Sequence, residues 1–110
     1  MNEESRRLYS EALDHFGEGK LEDAARLMEK VLEADPNFLD AYEGLAMAHS
    51  RLGNLDRAIA LMEELVLRDP RSIMAHSNLS VFYMKKGMKE KAEEEKARAT
   101  VLQFESRGKR

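Results

Sequence analysis

Apolar residues recur along the chain with the period of an α-helix. In the segment 21–34 they share one helical face, at Leu21, Ala24, Leu27, Met28, Val31 and Leu32. The segment 55–68 shows the same pattern. The spacing predicts six amphipathic helices, at about residues 4–17, 21–34, 38–52, 55–68, 72–86 and 89–106.

Glycine and proline separate these predicted helices. They stand at Gly19, Gly53 and Gly87 before the second, fourth and sixth helices, and at Pro36 and Pro70 after the second and fourth. Glycine adopts the left-handed conformation after a helix C-terminus at the least cost, and proline lacks the amide donor that a helix interior needs. Asn37 and Ser72 are the predicted N-caps of the third and fifth helices.

The whole pattern repeats at an offset of 34 residues. Segment 21–29 aligns with segment 55–63, and Asp35-Pro36 aligns with Asp69-Pro70. Gly87 and Ala92 extend the alignment into a third copy, which lacks the closing proline. The 110 residues therefore hold three copies of one structural unit with eight residues over.

The positions at which the copies agree resemble the tetratricopeptide repeat, a helix-turn-helix motif of this length. The second copy fits best, with Tyr42, Leu45, Ala46, His49, Gly53, Ala58, Met62 and Pro70. The resemblance implies an all-α fold, a right-handed superhelical stack of three antiparallel helix-turn-helix hairpins. The predicted division is an N-terminal extension 1–4, repeats at 5–38, 39–72 and 73–106, and a basic tail 107–110.

The first and last copies depart from the family pattern in a polar direction. Glu11 stands where an apolar residue is usual, Lys96 stands at a bulky position, and Phe104 replaces the proline. The segment 89–98 is nearly all charged, with possible ion pairs of Glu93 with Lys96 and Glu94 with Arg98. We interpret the last helix as a solvated C-terminal cap. Its apolar end, Val101 to Phe104, is expected to fold back on the stack or to contact another molecule, and we favour the first.

Composition and charge narrow the function classes. The chain has 18 basic and 21 acidic side chains and no cysteine. A net charge of -3 gives no broad field for nucleic acid or an anionic membrane. The absence of cysteine excludes a disulfide scaffold, a thiol catalyst and a cysteine zinc site. No apolar run approaches the ~20 residues of a membrane span, and no signal-peptide pattern follows the acidic N-terminus, so a cytoplasmic location is predicted.

The sequence contains no convincing motif for catalysis or metal binding. His15 and His49 occupy equivalent positions in successive copies, but a metal site would need a third ligand, and we interpret both as helix-packing residues. The segment 17–20 has two glycines and a lysine without P-loop spacing. We therefore predict a protein that is not an enzyme, with no metal, no cofactor and no small-molecule substrate.

The resemblance also implies a concave groove lined by the first helix of each repeat. The corresponding residues are Tyr9, Leu13, Phe16, Glu43, Met47, Ser50, Arg51, Ser77, Val81, Met84 and Lys85. Tyr9 and Leu13 stand where the carboxylate-binding members of the family have lysine and asparagine, so that binding mode is not expected. Instead, Leu13, Met47 and Val81 form an apolar row with a spacing of 34 residues.

Two function classes follow from this groove. The favoured one is a scaffold or adaptor module that binds another protein, as an extended peptide or an amphipathic helix with apolar anchors and acidic neighbours. The alternative is a structural unit that assembles with itself, as a homodimer for example, through the groove or the C-terminal helix. The groove residues could instead pack between adjacent helices, which would leave no apolar surface for a partner.

Overall fold

The structure, a computed structural model, describes residues 3–108 and is all-α: this range holds six helices and no strand. The helices are α1 Glu3–Gly17, α2 Leu21–Ala34, α3 Leu39–Arg51, α4 Leu55–Arg68, α5 Ile73–Lys85 and α6 Lys89–Gly108. Every predicted helix is confirmed, with ends that agree within two residues. Of the predicted terminal segments, Glu3 and Glu4 begin α1 and Arg107 belongs to α6. Residues 1, 2, 109 and 110 lie outside the described residues.

The chain divides into two compact units, Met1–Leu61 and Met62–Arg110. The first unit contains α1, α2, α3 and the first half of α4, and the second contains the rest of α4 with α5 and α6. The repeat boundaries given above stay a prediction. In the following, each unit is described by itself.

The turns that end α1, α3 and α5 are three copies of one backbone motif. Their glycines have left-handed φ values: 80° at Gly19, 88° at Gly53 and 79° at Gly87. In each turn, the N–H of the residue after the glycine donates to the carbonyl five residues earlier: Lys20 to His15 (2.9 Å), Asn54 to His49 (2.7 Å) and Met88 to Tyr83 (2.8 Å). These bonds satisfy carbonyls that the helix ends would leave unpaired. The predicted role of the glycines is confirmed.

The two predicted N-caps have different outcomes. Ser72 caps α5, since its Oγ accepts a hydrogen bond from the N–H of Ala75 at 3.1 Å. The prediction for Asn37 is wrong, because the N-cap of α3 is Phe38 and makes no side-chain cap bond. The N–H of Asn37 donates to Asp35 Oδ1 at 3.2 Å, so an aspartate turn precedes α3.

In the first unit, small residues allow the helices to approach closely. Ala12 of α1 and Ala24 of α2 are fully buried. Phe38, the N-cap of α3, and Ala41 of α3 pack around Val31 of α2. Gly44 of α3 lies against Met28, and a Cβ there would lie 2.6 Å from both the Cε and the Sδ of Met28, so that side chain would have to shift. Met28 is fully buried, so this contact belongs to the core.

In the second unit, α6 packs on α5 through one narrow face. Its buried residues are Ala92, Glu95 and Ala99, spaced three and four apart. Ser80 on α5 donates from its Oγ to the carbonyl of Ala92 at 2.8 Å. The residues equivalent to Ser80 in the other two copies are alanines, Ala12 and Ala46. The rest of α6 is largely exposed, as expected of a solvated cap. Within residues 3–108, no helix combines the length and hydrophobicity that crossing a bilayer requires.

Two expectations about α6 are corrected. Arg98 Nη1 pairs with Glu95 Oε2 at 2.6 Å, one residue along from the expected partner, Glu94. The apolar end does not fold back, because α6 continues unbroken to Gly108 and leaves Val101 56% and Phe104 78% exposed. The helical period explains this, since positions 92, 95, 99 and 102 face inward and positions 101 and 104 do not.

Candidate functional site

Tyr9 contributes to packing as well as to the surface of the first unit. Its ring lies 4.9 Å from that of Phe38, tilted by 47°. Burial raises the pKa of Tyr9 above its ordinary value, and the nearby carboxylates of Asp40 and Glu43 add to the shift. Tyr9 therefore supports the start of α3, and its surroundings are acidic.

Four of the other first-unit residues form a mixed surface that we call the first-unit face: Leu13, Phe16, Met47 and Arg51. The guanidinium of Arg51 lies over the Phe16 ring, with Cζ 4.6 Å from the centroid. Leu13 and Met47 each lie one turn earlier on the same helices, α1 and α3, so the four side chains share adjoining surfaces. Leu13 is 45% exposed, and Phe16 and Met47 are half-buried.

The second-unit residues line an open cavity of about 630 Å³ between α5 and α6. Ser77, Val81, Met84 and Lys85 come from α5, as the sequence indicated. Val81 and Met84 are about half exposed. The opposite wall, made by residues of α6, was missed by sequence reasoning: Lys96, Ala99, Thr100 and Gln103. The repeat offset could have identified it, because Ala99 and Thr100 stand 68 residues after Val31 and Leu32, which pack against α3.

None of the eleven predicted groove residues is fully buried. Glu43 and Ser50 are half-buried, and Arg51, Ser77 and Lys85 are exposed. In the first unit the aromatic residues are partly engaged with Phe38 and Arg51, whereas in the second unit the apolar residues border open space. The second-unit residues therefore border a cavity that a ligand could enter.

Two of the histidines are withdrawn from solvent, His49 in part and His76 almost completely. Burial lowers the pKa of His49 below its ordinary value, Arg57 lowers it further, and Glu29 acts in the opposite direction. His76 donates from Nε2 to the carbonyl of Pro70 at 3.2 Å, and 34 residues earlier Tyr42 donates from its hydroxyl to Pro36 at 2.9 Å. Within residues 3–108, no three His, Cys, Asp or Glu side chains are grouped closely enough to hold a metal ion.

Comparisons with known proteins agree with this fold. A family model described as tetratricopeptide repeat matches residues 15–77, which is more than half of the chain. No curated protein sequence matches significantly. Among solved structures, a crystal structure of MamA has a TM-score of 0.91 at 19% identity, covering 94% of this chain and 61% of MamA.

Two structures of SycD, a type III secretion translocator chaperone of Yersinia enterocolitica, are also similar. One is a complex with a peptide of the translocator YopD, with a TM-score of 0.88 at 22% identity, covering 93% of this chain and 78% of SycD. The other shows an alternative dimer, with a TM-score of 0.87 at 24% identity, covering 93% and 77%. At these identities the similarity establishes the fold.

Proposed function

The chain belongs to the tetratricopeptide repeat family, and from that premise we propose that it is a protein-interaction module. It binds a segment of another protein on exposed apolar surfaces of its first helices, α1, α3 and α5. The observation that carries the proposal is the exposure of Leu13, Val81 and Met84, large apolar side chains that are 45%, 51% and 52% exposed. Apolar surface next to polar residues is typical of protein-binding sites.

The chemistry of these surfaces defines the expected ligand. Met47 and Met84 are flexible and polarisable, so they adapt to apolar side chains of different shapes. Arg51 and Lys85 add positive charge beside them. An extended peptide or an amphipathic helix with apolar anchors and acidic neighbours fits both properties. The similarity to SycD, which binds a peptide of YopD, supports a peptide or protein ligand, and the similarity to a chaperone supports a non-enzymatic role.

Substitution of single surface residues tests the proposal. Met47→Glu and Val81→Glu place a charge on the proposed surfaces, and Leu67→Glu is the matched control, because Leu67 is 78% exposed on α4. We expect all three variants to keep the helical circular dichroism of the unchanged chain. Capture of partners from a lysate of the source organism should be lost with the first two and retained with the third. Unfolding of Met47→Glu would show that Met47 belongs to the core, and unchanged capture by both variants would overturn the proposal.

Self-assembly is a second candidate, favoured by the exposed end of α6. Val101 and Phe104 are three residues apart on one helix and are 56% and 78% exposed. In many homodimers, exposed apolar side chains of this kind are covered by the partner subunit. Light scattering over a concentration series should then show a dimer that becomes a monomer in Phe104→Ser. A monomer at every concentration would exclude this candidate.

A further inference from the structure

The face of α5 and α6 corresponds to a face in the first unit that another helix covers. An offset of 68 residues relates Met28 to Lys96 and Val31 to Ala99. Met28 and Val31 are fully buried, since α3 packs on them with Gly44 and with Phe38 and Ala41. The first unit therefore shows, within this chain, how a helix packs on such a hairpin.

In the second unit the same positions border the cavity of about 630 Å³. Lys96 and Thr100 are exposed there, and Val81 and Met84 are half exposed. The path of α6 does not lead back over this surface. While α2 ends at Ala34 and the chain turns into α3, α6 continues six residues beyond the equivalent position, about 9 Å along its axis. Any helix that occupies this face therefore has to come from another molecule.

A second copy of this chain is a poor occupant. The helix equivalent to α3 in the preceding repeat is α1, which has Arg7 and Glu11 where α3 has Ala41 and Leu45. Ala41 and Leu45 are fully buried, so α1 in that position would bury two charged side chains. Burying charges without dedicated partners costs several kcal/mol on general grounds.

The charge of the cavity indicates what the occupant carries. Lys85 and Lys96 line it, and no aspartate or glutamate does so among the described residues. Lys96 replaces Met28, the residue that contacts Gly44 of α3. A helix bound in the same way would therefore place the position equivalent to Gly44 next to the Lys96 ammonium.

We propose that the α5/α6 face binds an acidic amphipathic helix of a partner protein, placed as α3 is placed on α1 and α2. Small apolar residues of that helix pack on Ala99, and a carboxylate at the position equivalent to Gly44 pairs with Lys96. This inference rests on the proposed interaction function and specifies its ligand.

The probe for the test is a synthetic peptide with the sequence of residues 37–52, a lactam bridge on its solvent side and Gly44→Glu. The bridge is needed because a helix of this length is marginal in water. Fluorescence anisotropy with the full chain should give saturable binding, weakened at least about tenfold by Lys96→Glu in the protein. Lys89→Glu is the matched control, since it makes the same charge change on α6 outside the cavity lining and should leave binding unchanged.

Charge exchange completes the test. A peptide with Gly44→Lys should bind the Lys96→Glu protein more tightly than the unchanged protein. Absence of binding, or equal binding to the unchanged and Lys96→Glu proteins, would overturn the inference. Binding lost in Met47→Glu but not in Lys96→Glu would place the peptide on the first-unit face; that result would overturn the helix site while leaving the interaction function standing.

Discussion

His76 Nδ1 lies 2.6 Å from Glu95 Oε1, and the two side chains are only 7% and 11% exposed. The other ring nitrogen of His76 faces the carbonyl of Pro70, which can only accept, so Nε2 carries a hydrogen. The second carboxylate oxygen of Glu95 accepts from Arg98. The other buried residues of α6 within residues 3–108 are alanines, so Glu95 is the largest side chain that this helix buries.

We expect Glu95→Ala to lower the free energy of unfolding by about 2 kcal/mol, since it leaves a buried histidine nitrogen without its partner. Glu94→Ala is the matched control on the exposed side of α6 and should change stability by less than about 0.5 kcal/mol. Urea denaturation followed by circular dichroism measures both. Equal midpoints for the two variants would show that the Glu95 contact adds nothing to the stability of the fold.

The contact between His76 and Glu95 could not be predicted from the sequence alone. Glu95 stands in a run of three glutamates, and only the contacts of Ala92 and Ala99 with α5 determine which of the three is buried. The helix ends were predictable because glycine and proline act locally, through their own backbone preferences. The α6 wall of the cavity has no local signal of this kind, because Lys96 and Thr100 are polar, and only the 68-residue offset from Val31 and Leu32 indicates it.

The left-handed glycines provide a second prediction. A Cβ would meet nothing within 4 Å at either Gly53 or Gly17, so the two sites differ only in backbone conformation. Gly53 has φ 88°, whereas Gly17 is helical. Gly53→Ala should destabilise the protein by about 1–2 kcal/mol. Gly17→Ala should leave stability unchanged or raise it by up to about 1 kcal/mol. Thermal or urea unfolding compares them, and equal effects would contradict the assignment of strain to φ.

Tyr83 provides a prediction for alkaline pH. Burial raises its pKa to about 12, and its hydroxyl donates to Glu63 Oε2 at 3.0 Å, which adds to the shift. The folded state thus prefers the neutral phenol more than the unfolded chain does, so the stabilisation is complete below pH ~10 and is lost as the pH rises towards 12. Absorbance titration at the phenolate band should show a late transition that moves to lower pH in Glu63→Gln. A Tyr83→Phe variant that keeps the late transition would assign it to another tyrosine.

For Gly44→Ala, we predict an effect on stability that changes sign when Met28 is also replaced by alanine. Alanine is favoured over glycine in a helix by about 1 kcal/mol, but the added Cβ would lie 2.6 Å from Met28 Cε and Sδ in a filled core. Overpacking of this kind costs about 1–3 kcal/mol, so Gly44→Ala alone should be destabilising. Met28→Ala alone should cost about 2–5 kcal/mol because it leaves a cavity.

In the Met28→Ala background, however, the clash is absent and the new methyl group fills part of the cavity. Gly44→Ala should there be stabilising by about 1 kcal/mol, which corresponds to a favourable coupling energy of about 2 kcal/mol in the double-mutant cycle. Urea denaturation of the four proteins measures it. Additive effects would mean that α3 shifts to accept the methyl group. Coupling of the expected sign would establish that the close approach of α3 to Met28 is what requires glycine at position 44.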